Sequence, residues 1–412
     1  MHILFLTHYF PPEVNAPASR TYENSRRWVG DDCRVTIITC APNHPNGIIY
    51  PGYKNRLWQW EQIDGIDVLR VKTYLSANKG FFKRTLNYIS FMLSAVFFCR
   101  LVGSVDVVVS TSPQFFCGMA GYFIARIKRR PWILEIRDLW PESIIAVGAL
   151  KNRFIIRWLE KIETFLYAQA NHIVALTHAF KRHICSRGVA ANKISVITNG
   201  ADLDRFQPLP KESAIRKQYG LNGKFVAAFI GTHGMAHGLE TLFKAAQLLK
   251  DQPGIVWLLV GDGAERENLL LQKEKLGLNN ILMLSQQPKN KIPEFIAASD
   301  VCIALLKKRK VFKKVIPSKI FEAMAMERPI ILGLEGECKE IIQRGKCGIC
   351  IEPENETQLS EAVMKLYNEN KLLDLLGKNG SRFVVKEFGR GELAEQYLKV
   401  CKRIINDNRG PI

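Results

Sequence analysis

Short apolar runs recur along the chain, and between them lie longer stretches in which apolar residues return every three or four positions. Runs of the first kind have the length of buried strands, and stretches of the second kind have the period of amphipathic helices. Their alternation predicts an α/β fold with parallel sheets. In the first half, strands are predicted at Ile3–Leu6, Val35–Thr39, Ile66–Val71, Val107–Val109, Ile133–Glu135, Ile173–Ala175 and Ser195–Ile197. After Asn199-Gly200 the chain passes through Pro208 and Pro210, a hinge signal. A second series follows at Phe225–Ile230, Val256–Val260, Ile281–Leu284, Val301–Ala304, Ile330–Leu332 and Gly348–Ile351. The break predicts two domains, 1–205 and 206–389, and an amphipathic helical tail within 390–412. No internal repeat or low-complexity segment interrupts this order.

The length of 412 residues suits two or three domains, and 47% apolar residues suffice for packed cores. Ile3-Leu4-Phe5-Leu6 is too short for a secretory core and reads as a strand. No apolar run reaches the ~18 residues of a membrane span. Ten cysteines without a small-scaffold pattern point to a reducing cytoplasm. Cys347-Gly348-Ile349-Cys350 has redox or zinc spacing, but no second pair follows, so it reads as a strand after a glycine turn. The net charge of +19 points to an anionic partner: nucleic acid, an anionic membrane or a phosphate-bearing substrate. No nucleic-acid module is present. Lys79, Lys83 and Arg84 adjoin the apolar run 91–98, and Arg126, Lys128, Arg129 and Arg130 follow another apolar segment. Such flanking suits a peripheral contact with an anionic membrane; residues 85–102 read equally well as a buried helix.

Open α/β sheets bind ligands beyond the carboxyl ends of their strands, which directs attention to the loops after Leu6, Val109, Glu135, Ile230, Val260 and Leu284. The segment from Pro317 to Ile330 reads as a helix start, a short helix and a turn into a buried strand. Ser318 is placed to cap that helix, whose free N–H groups suit a phosphate. Glu322, a turn further on, can accept two hydrogen bonds from a ribose diol; taken alone, the segment reads more readily as an ordinary amphipathic helix with a solvated Glu. In Gly231-Thr232-His233-Gly234 the glycines let backbone approach a phosphate. Gly261-Asp262-Gly263 lacks the third glycine of a dinucleotide fingerprint, which argues against a nicotinamide dehydrogenase. Arg137 and Asp138 end a strand. Asp138 is the leading acid/base candidate, with Glu142 next, and an ordinary strand-end ion pair is the other reading. Asp202-Leu203-Asp204 reads as turn chemistry rather than a metal pair. His233 and His237 are four apart but flanked by glycines, and no protein-bound metal is expected.

Taken in order, His8-Tyr9-Phe10-Pro11-Pro12-Glu13, residues 135–142, Asn199-Gly200-Ala201-Asp202, residues 231–238, Gly261-Asp262-Gly263 and the 317–330 segment resemble the family-four glycosyltransferases. The resemblance spans nearly the whole chain and is strongest to bacterial O-antigen and capsule enzymes that transfer N-acetyl-L-fucosamine. It implies a GT-B type architecture: two Rossmann-like domains facing a cleft, with the C-terminal helix returning to the first. It also implies a UDP-sugar donor bound by the second domain through Gly231, His233, Gly234, Gly261, Ser318, Lys319 and Glu322. The acceptor would be a lipid-linked sugar diphosphate on the cytoplasmic face of the membrane. Pro12, Glu13, Arg20 and His44 would lie on its side, as would Ser110-Thr111-Ser112-Pro113, with Asp138, Arg137 and Glu142 catalytic. Arg20 reads equally well as a surface arginine. Two departures stand out. Many relatives place an Arg and a Lys where this chain has His233 and His237, leaving Lys319 as the candidate cation and Lys307, Lys308 and Arg309 as further ones. Relatives carry a glutamate eight positions before the residue matching Glu322, and here that position is Lys314. Two alternatives stay open: a nucleotide-sugar epimerase or hydrolase of the same fold, and a non-catalytic basic binding protein.

Overall fold

The computed structural model describes residues 1–76, 81–112, 115–146, 148 and 150–408. Lys79, Pro113 and the last four residues of the predicted tail lie outside them. Packing divides the chain between Thr198 and Asn199, a little ahead of the sequence-based boundary, and again between Gly389 and Arg390.

Unit 1 is built on an eight-stranded sheet in the order β3-β4-β2-β1-β5-β6-β7-β8. Its strands are β1 (His2–Leu6), β2 (Arg34–Cys40), β3 (Trp58–Ile63), β4 (Ile66–Val71), β5 (Val107–Thr111), β6 (Trp132–Ile136), β7 (His172–Ala175) and β8 (Ile194–Val196). All neighbours pair in parallel except β3 with β4. The apolar runs of β1 and β5 are buried on both faces because helices cover both sides. Ile3 and Phe5 pack with Trp28, Tyr397 and Leu398, so helices Ala16–Gly30 and Arg390–Asn408 cover one face. The Trp28 indole N–H donates to the Ala394 carbonyl at 2.9 Å. The C-terminal helix thus returns to the first unit, as the resemblance implied. The alternate residues face the other side. There Ser110 lies against Gly121, where an added Cβ would come within 2.2 Å of the serine oxygen.

Strand β3 was not among the sequence-based expectations. It pairs antiparallel with β4 across Asp64-Gly65, whose φ angles of 49° and 77° suit a tight two-residue hairpin turn.

Unit 2 carries a six-stranded, wholly parallel sheet in the order β11-β10-β9-β12-β13-β14. Its strands are β9 (Phe225–Ile230), β10 (Ile255–Val260), β11 (Ile281–Leu284), β12 (Val301–Leu305), β13 (Ile330–Gly333) and β14 (Gly348–Cys350). In each sheet the winding direction reverses once, between β1 and β5 and between β9 and β12. Those switch points open crevices at the strands' carboxyl ends.

Candidate active site

The unit 2 switch point is framed by glycines. Gly231 leaves β9 with φ 145°, and Gly261 and Gly263 leave β10 with φ 155° and 154°. A Cβ on Gly261 would lie 2.0 Å from the Gly231 carbonyl oxygen, and one on Gly263 would lie 2.5 Å from that of His233. The two loops therefore pack backbone to backbone, tied by the His233 N–H to the Asp262 carbonyl at 2.8 Å. Only glycine permits this approach.

Beside them lies a pocket of about 330 Å³ whose lining includes Ile230, Cys302, Ala304, Lys319 and Glu322. Lys319 begins the short helix Lys319–Ala325. Its Nζ stands 3.5 Å from the Phe229 ring centroid, is sealed from solvent and has no hydrogen-bond partner. A Cβ on Gly231 would sit 2.8 Å from that ammonium, so the glycine keeps its approach open. Burial lowers the Lys319 pKa to about 7, with the charges of Glu322 and Cys302 opposing the shift. The Glu322 carboxyl is raised by burial, against the pull of Lys289, Lys319 and Arg205. Lys289, on the segment after β11, is itself lowered to about 8 by burial and by Arg205. Sequence reasoning marked the loop after Leu284 but did not single out Lys289 or Arg205.

One expectation for this pocket is corrected. Ser318 does not cap the helix: its own backbone is helical, with φ −61° and ψ −26°, and its side chain makes no cap bond. His233 is neutral at pH 7: burial and the charges of Arg266 and Lys319 lower its pKa to about 4. It is fully buried with both ring nitrogens unpartnered, so it offers a neutral donor and acceptor. His237 is pushed to about 3 by burial, and its Nδ1 faces the Leu305 carbonyl at 3.1 Å. Gly234 holds the turn between them, its carbonyl accepting from the His237 N–H at 3.0 Å.

In unit 1, Asp138 follows β6 and lines a pocket of about 300 Å³ with Ser112, Trp140, Glu163 and Tyr167. Its carboxylate accepts the Leu139 N–H at 2.9 Å. Burial raises its pKa to about 6, against the pull of the nearby Ser143 hydroxyl and the Leu139 N–H, with Glu142 adding to the rise. A carboxylate poised there can take a proton from a hydroxyl near neutral pH. Glu142 instead faces His183, at 3.6 Å from Nδ1. Arg137 reaches the start of the first helix. Its guanidinium donates to the Pro17 and Ala16 carbonyls at 3.1 and 3.0 Å and lies 3.7 Å from Glu135.

Arg20 is not a surface residue. It is buried, donates to Glu135 at 3.2 Å, and also holds the Thr198 and Ile197 carbonyls at 2.7 and 2.9 Å. It ties the first helix to β6 and to the end of β8's connection. Glu13 is buried beneath the exposed Pro12, and its carboxylate accepts the N–H groups of Asn43 and His44, both at 2.9 Å. Burial lifts it to about 7 against those bonds. His44, lowered by burial, stacks edge-on with Tyr9 at 5.1 Å. Among the described residues, no group of three or more His, Cys, Asp or Glu side chains is placed to hold a metal, and no helix is long and apolar enough to cross a membrane.

The family described as glycosyl transferase 4-like domain matches residues 15–200, and that described as glycosyl transferases group 1 matches 211–383. Over 422 aligned residues the chain is 23% identical to WcaI of Escherichia coli K12, a glycosyl transferase assigned to colanic acid biosynthesis, covering 100% of both. It is 26% identical to the N,N'-diacetylbacillosaminyl-diphospho-undecaprenol alpha-1,3-N-acetylgalactosaminyltransferase of Campylobacter jejuni, over 62% of this chain and 65% of that one. Among solved structures, Anabaena HepE in complex with UDP-glucose aligns with a TM-score of 0.73 at 18% identity, covering 98% of this chain and 100% of that one.

Proposed function

We propose that this chain, a GT-B glycosyltransferase built from a 4-like and a group 1 domain, moves a sugar from a UDP-sugar onto a lipid-linked sugar diphosphate. The observation that carries the donor half is the sealed, unpartnered Lys319 ammonium, a turn from the Glu322 carboxylate and against the Gly231 loop. A diphosphate supplies the partner Lys319 lacks, and a ribose diol suits Glu322. The complex of HepE with UDP-glucose supports a UDP donor for this fold. The Campylobacter relative's lipid-diphosphate acceptor, together with relatives named for colanic acid and capsular polysaccharide biosynthesis, supports an acceptor in O-antigen or capsule assembly. The enzyme then works at the cytoplasmic face of an anionic membrane.

In this reading Asp138 takes the acceptor hydroxyl's proton as the bond to the anomeric carbon forms. The diphosphate leaves with the glycosidic electron pair, its charge countered by Lys319. No metal takes part in this reading, so turnover should persist in chelator. The transferred sugar is N-acetyl-L-fucosamine, the choice the resemblance favours. A panel of UDP- and GDP-sugars with a lipid-diphosphate acceptor, products weighed by mass spectrometry, tests each part. Consumption of donor without acceptor would make the enzyme a hydrolase or epimerase instead.

A further inference from the structure

The face of unit 1 opposite Trp28 is covered by three helices packed in series: Phe81–Phe98 on Phe115–Lys128, and the latter on Arg153–Gln169. Tyr122 and Phe165 join the last two, ring to ring, at 5.2 Å. Inward side chains such as Phe91, Ile124 and Leu166 are buried. The outward side is also apolar. Phe154 is 80% exposed, Phe97 71%, Leu93 60% and Trp158 53%, with Phe165 and Phe123 exposed beside them. Phe154, Trp158 and Phe165 fall at spacings of four and seven, one stripe of a single helix.

The charge on this layer is predominantly positive. Helices Phe81–Phe98 and Phe115–Lys128 contain no Asp or Glu. In Arg153–Gln169, Glu163 is buried and Glu160 is 3.3 Å from Arg187. Arg153, Arg157 and Lys161 are exposed beside the aromatic stripe, as are Lys83, Arg100 and Arg126 beside the other two helices.

We propose that this three-helix face is the enzyme's docking surface for an anionic lipid bilayer, with the Phe154–Trp158–Phe165 stripe entering the headgroup boundary. An outward aromatic stripe flanked by Arg and Lys is the chemistry of a helix lying in the interface, apolar side down and cations on lipid phosphates. Tryptophan suits that depth because its ring is apolar and its N–H stays wet. A second copy of the chain fits poorly: a two-fold contact sets the same patch against itself, and here that opposes like charges, with Glu160 already beside Arg187. The surface extends beyond the segments singled out in the sequence, since the helix Arg153–Gln169 carries Phe154, as exposed as Phe82 on the helix Phe81–Phe98. The proposal rests on the lipid-linked reading of the acceptor only for its purpose; the surface stands on its own chemistry.

The test is sedimentation of the full chain with phosphatidylcholine vesicles, with or without about one-third phosphatidylglycerol. Binding is expected to the anionic vesicles and to fall with added salt. The double variant Phe154→Ser/Trp158→Ser and the charge reversal Arg153→Glu/Arg157→Glu should each weaken it at least tenfold. Leu271→Ser, equally exposed on unit 2, should not. Melting temperature and UDP affinity should be unchanged in all of them. Vesicle binding by the double variant equal to wild type overturns the proposal, as does equal binding to uncharged vesicles. A wild-type dimer that the double variant dissociates overturns it in favour of a second copy, and salt-sensitive capture of nucleic acid by the same face overturns it in favour of that partner. Failure of UDP to bind any form, with vesicle binding intact, overturns the donor reading and leaves the docking surface standing.

Discussion

Lys319→Met separates stability from function in one step. Burial takes the ammonium from its ordinary 10.5 to about 7 in the free protein. At about 1.4 kcal/mol per pKa unit, keeping the charged form in that site costs the fold on the order of 5 kcal/mol. The cost is fully present below pH 7, where folded and unfolded chains are both protonated. It is relieved as pH rises from about 7 toward 10.5, where only the unfolded chain holds the proton. Methionine matches the stem and can rest on the Phe229 ring, so much of the cost should vanish. Some returns, because Glu322 loses one of three nearby cations. A net gain of about 1–3 kcal/mol at pH 6 is expected, read as a rise of about 2–4 °C in Tm per kcal/mol.

Donor affinity should move the other way. A hydrogen bond to a charged group contributes about 1.5–3 kcal/mol, so UDP binding should weaken roughly tenfold to 150-fold. A second signature is the proton itself. At pH 8 the free Lys319 is mostly neutral, and a bound diphosphate restores its charge, so wild-type binding should take up nearly one proton. Calorimetry in buffers of different ionisation enthalpy measures that uptake, and Lys319→Met should lack it. The reasoning is refuted if Lys319→Met melts lower than wild type at pH 6 and binds UDP with unchanged affinity and proton uptake.

Other substitutions probe neighbouring parts. Glu322→Ala removes the ribose acceptor and should raise the UDP Kd by about tenfold or more; intact turnover and donor affinity would end the donor-pocket reading. Asp138→Asn should cut kcat by about 10²–10⁴ while leaving UDP affinity near wild type, and a kcat within threefold or so of wild type would remove Asp138 from the chemistry. Gly261→Ala forces a Cβ to within 2.0 Å of the Gly231 carbonyl at φ 155°, and should lower stability by roughly 2–4 kcal/mol. An unchanged Tm would mean that the two loops part more easily than their packing implies.

What the sequence disclosed, and what it hid, follows from where each partner sits along the chain. The strand–helix alternation was legible because buried parallel strands are continuous apolar runs. Lys319 and Glu322 were legible because one short helix carries both. Strand β3 was overlooked although Asp64-Gly65 is a strong hairpin signal; its tryptophans alternate with polar residues at a half-exposed edge and do not form an apolar run. Arg20 was misplaced because nothing near it in sequence reveals Glu135, its partner 115 positions away. Ser318 was misread because capping depends on backbone angles, which the Pro-Ser pair does not fix. Lys289 and Arg205 reach Glu322's surroundings only through the folded sheet.

The two shifted groups also set opposing limits on the enzyme's pH range. His233 and His237 are neutral at pH 7, so neither supplies charge for a diphosphate there. Lys319 does, but in the free enzyme it loses its proton above about 7. Asp138 serves as a base only when ionised, which in the free enzyme requires pH above about 6. Because kcat/KM reports groups of the free enzyme, its profile for the donor should be a narrow bell, falling below about pH 6 and above about pH 7 to 8. Each limb has an owner: residual turnover of Asp138→Asn should lose the acid limb, and Lys319→Met the alkaline one. A profile flat from about pH 5.5 to 8.5, or a limb that survives removal of its owner, would mean that the proton is taken elsewhere or that the diphosphate is held by a cation that never titrates. Lys289, which titrates near 8, would shift the alkaline limb upward rather than abolish it, so the position of that limb distinguishes the two lysines.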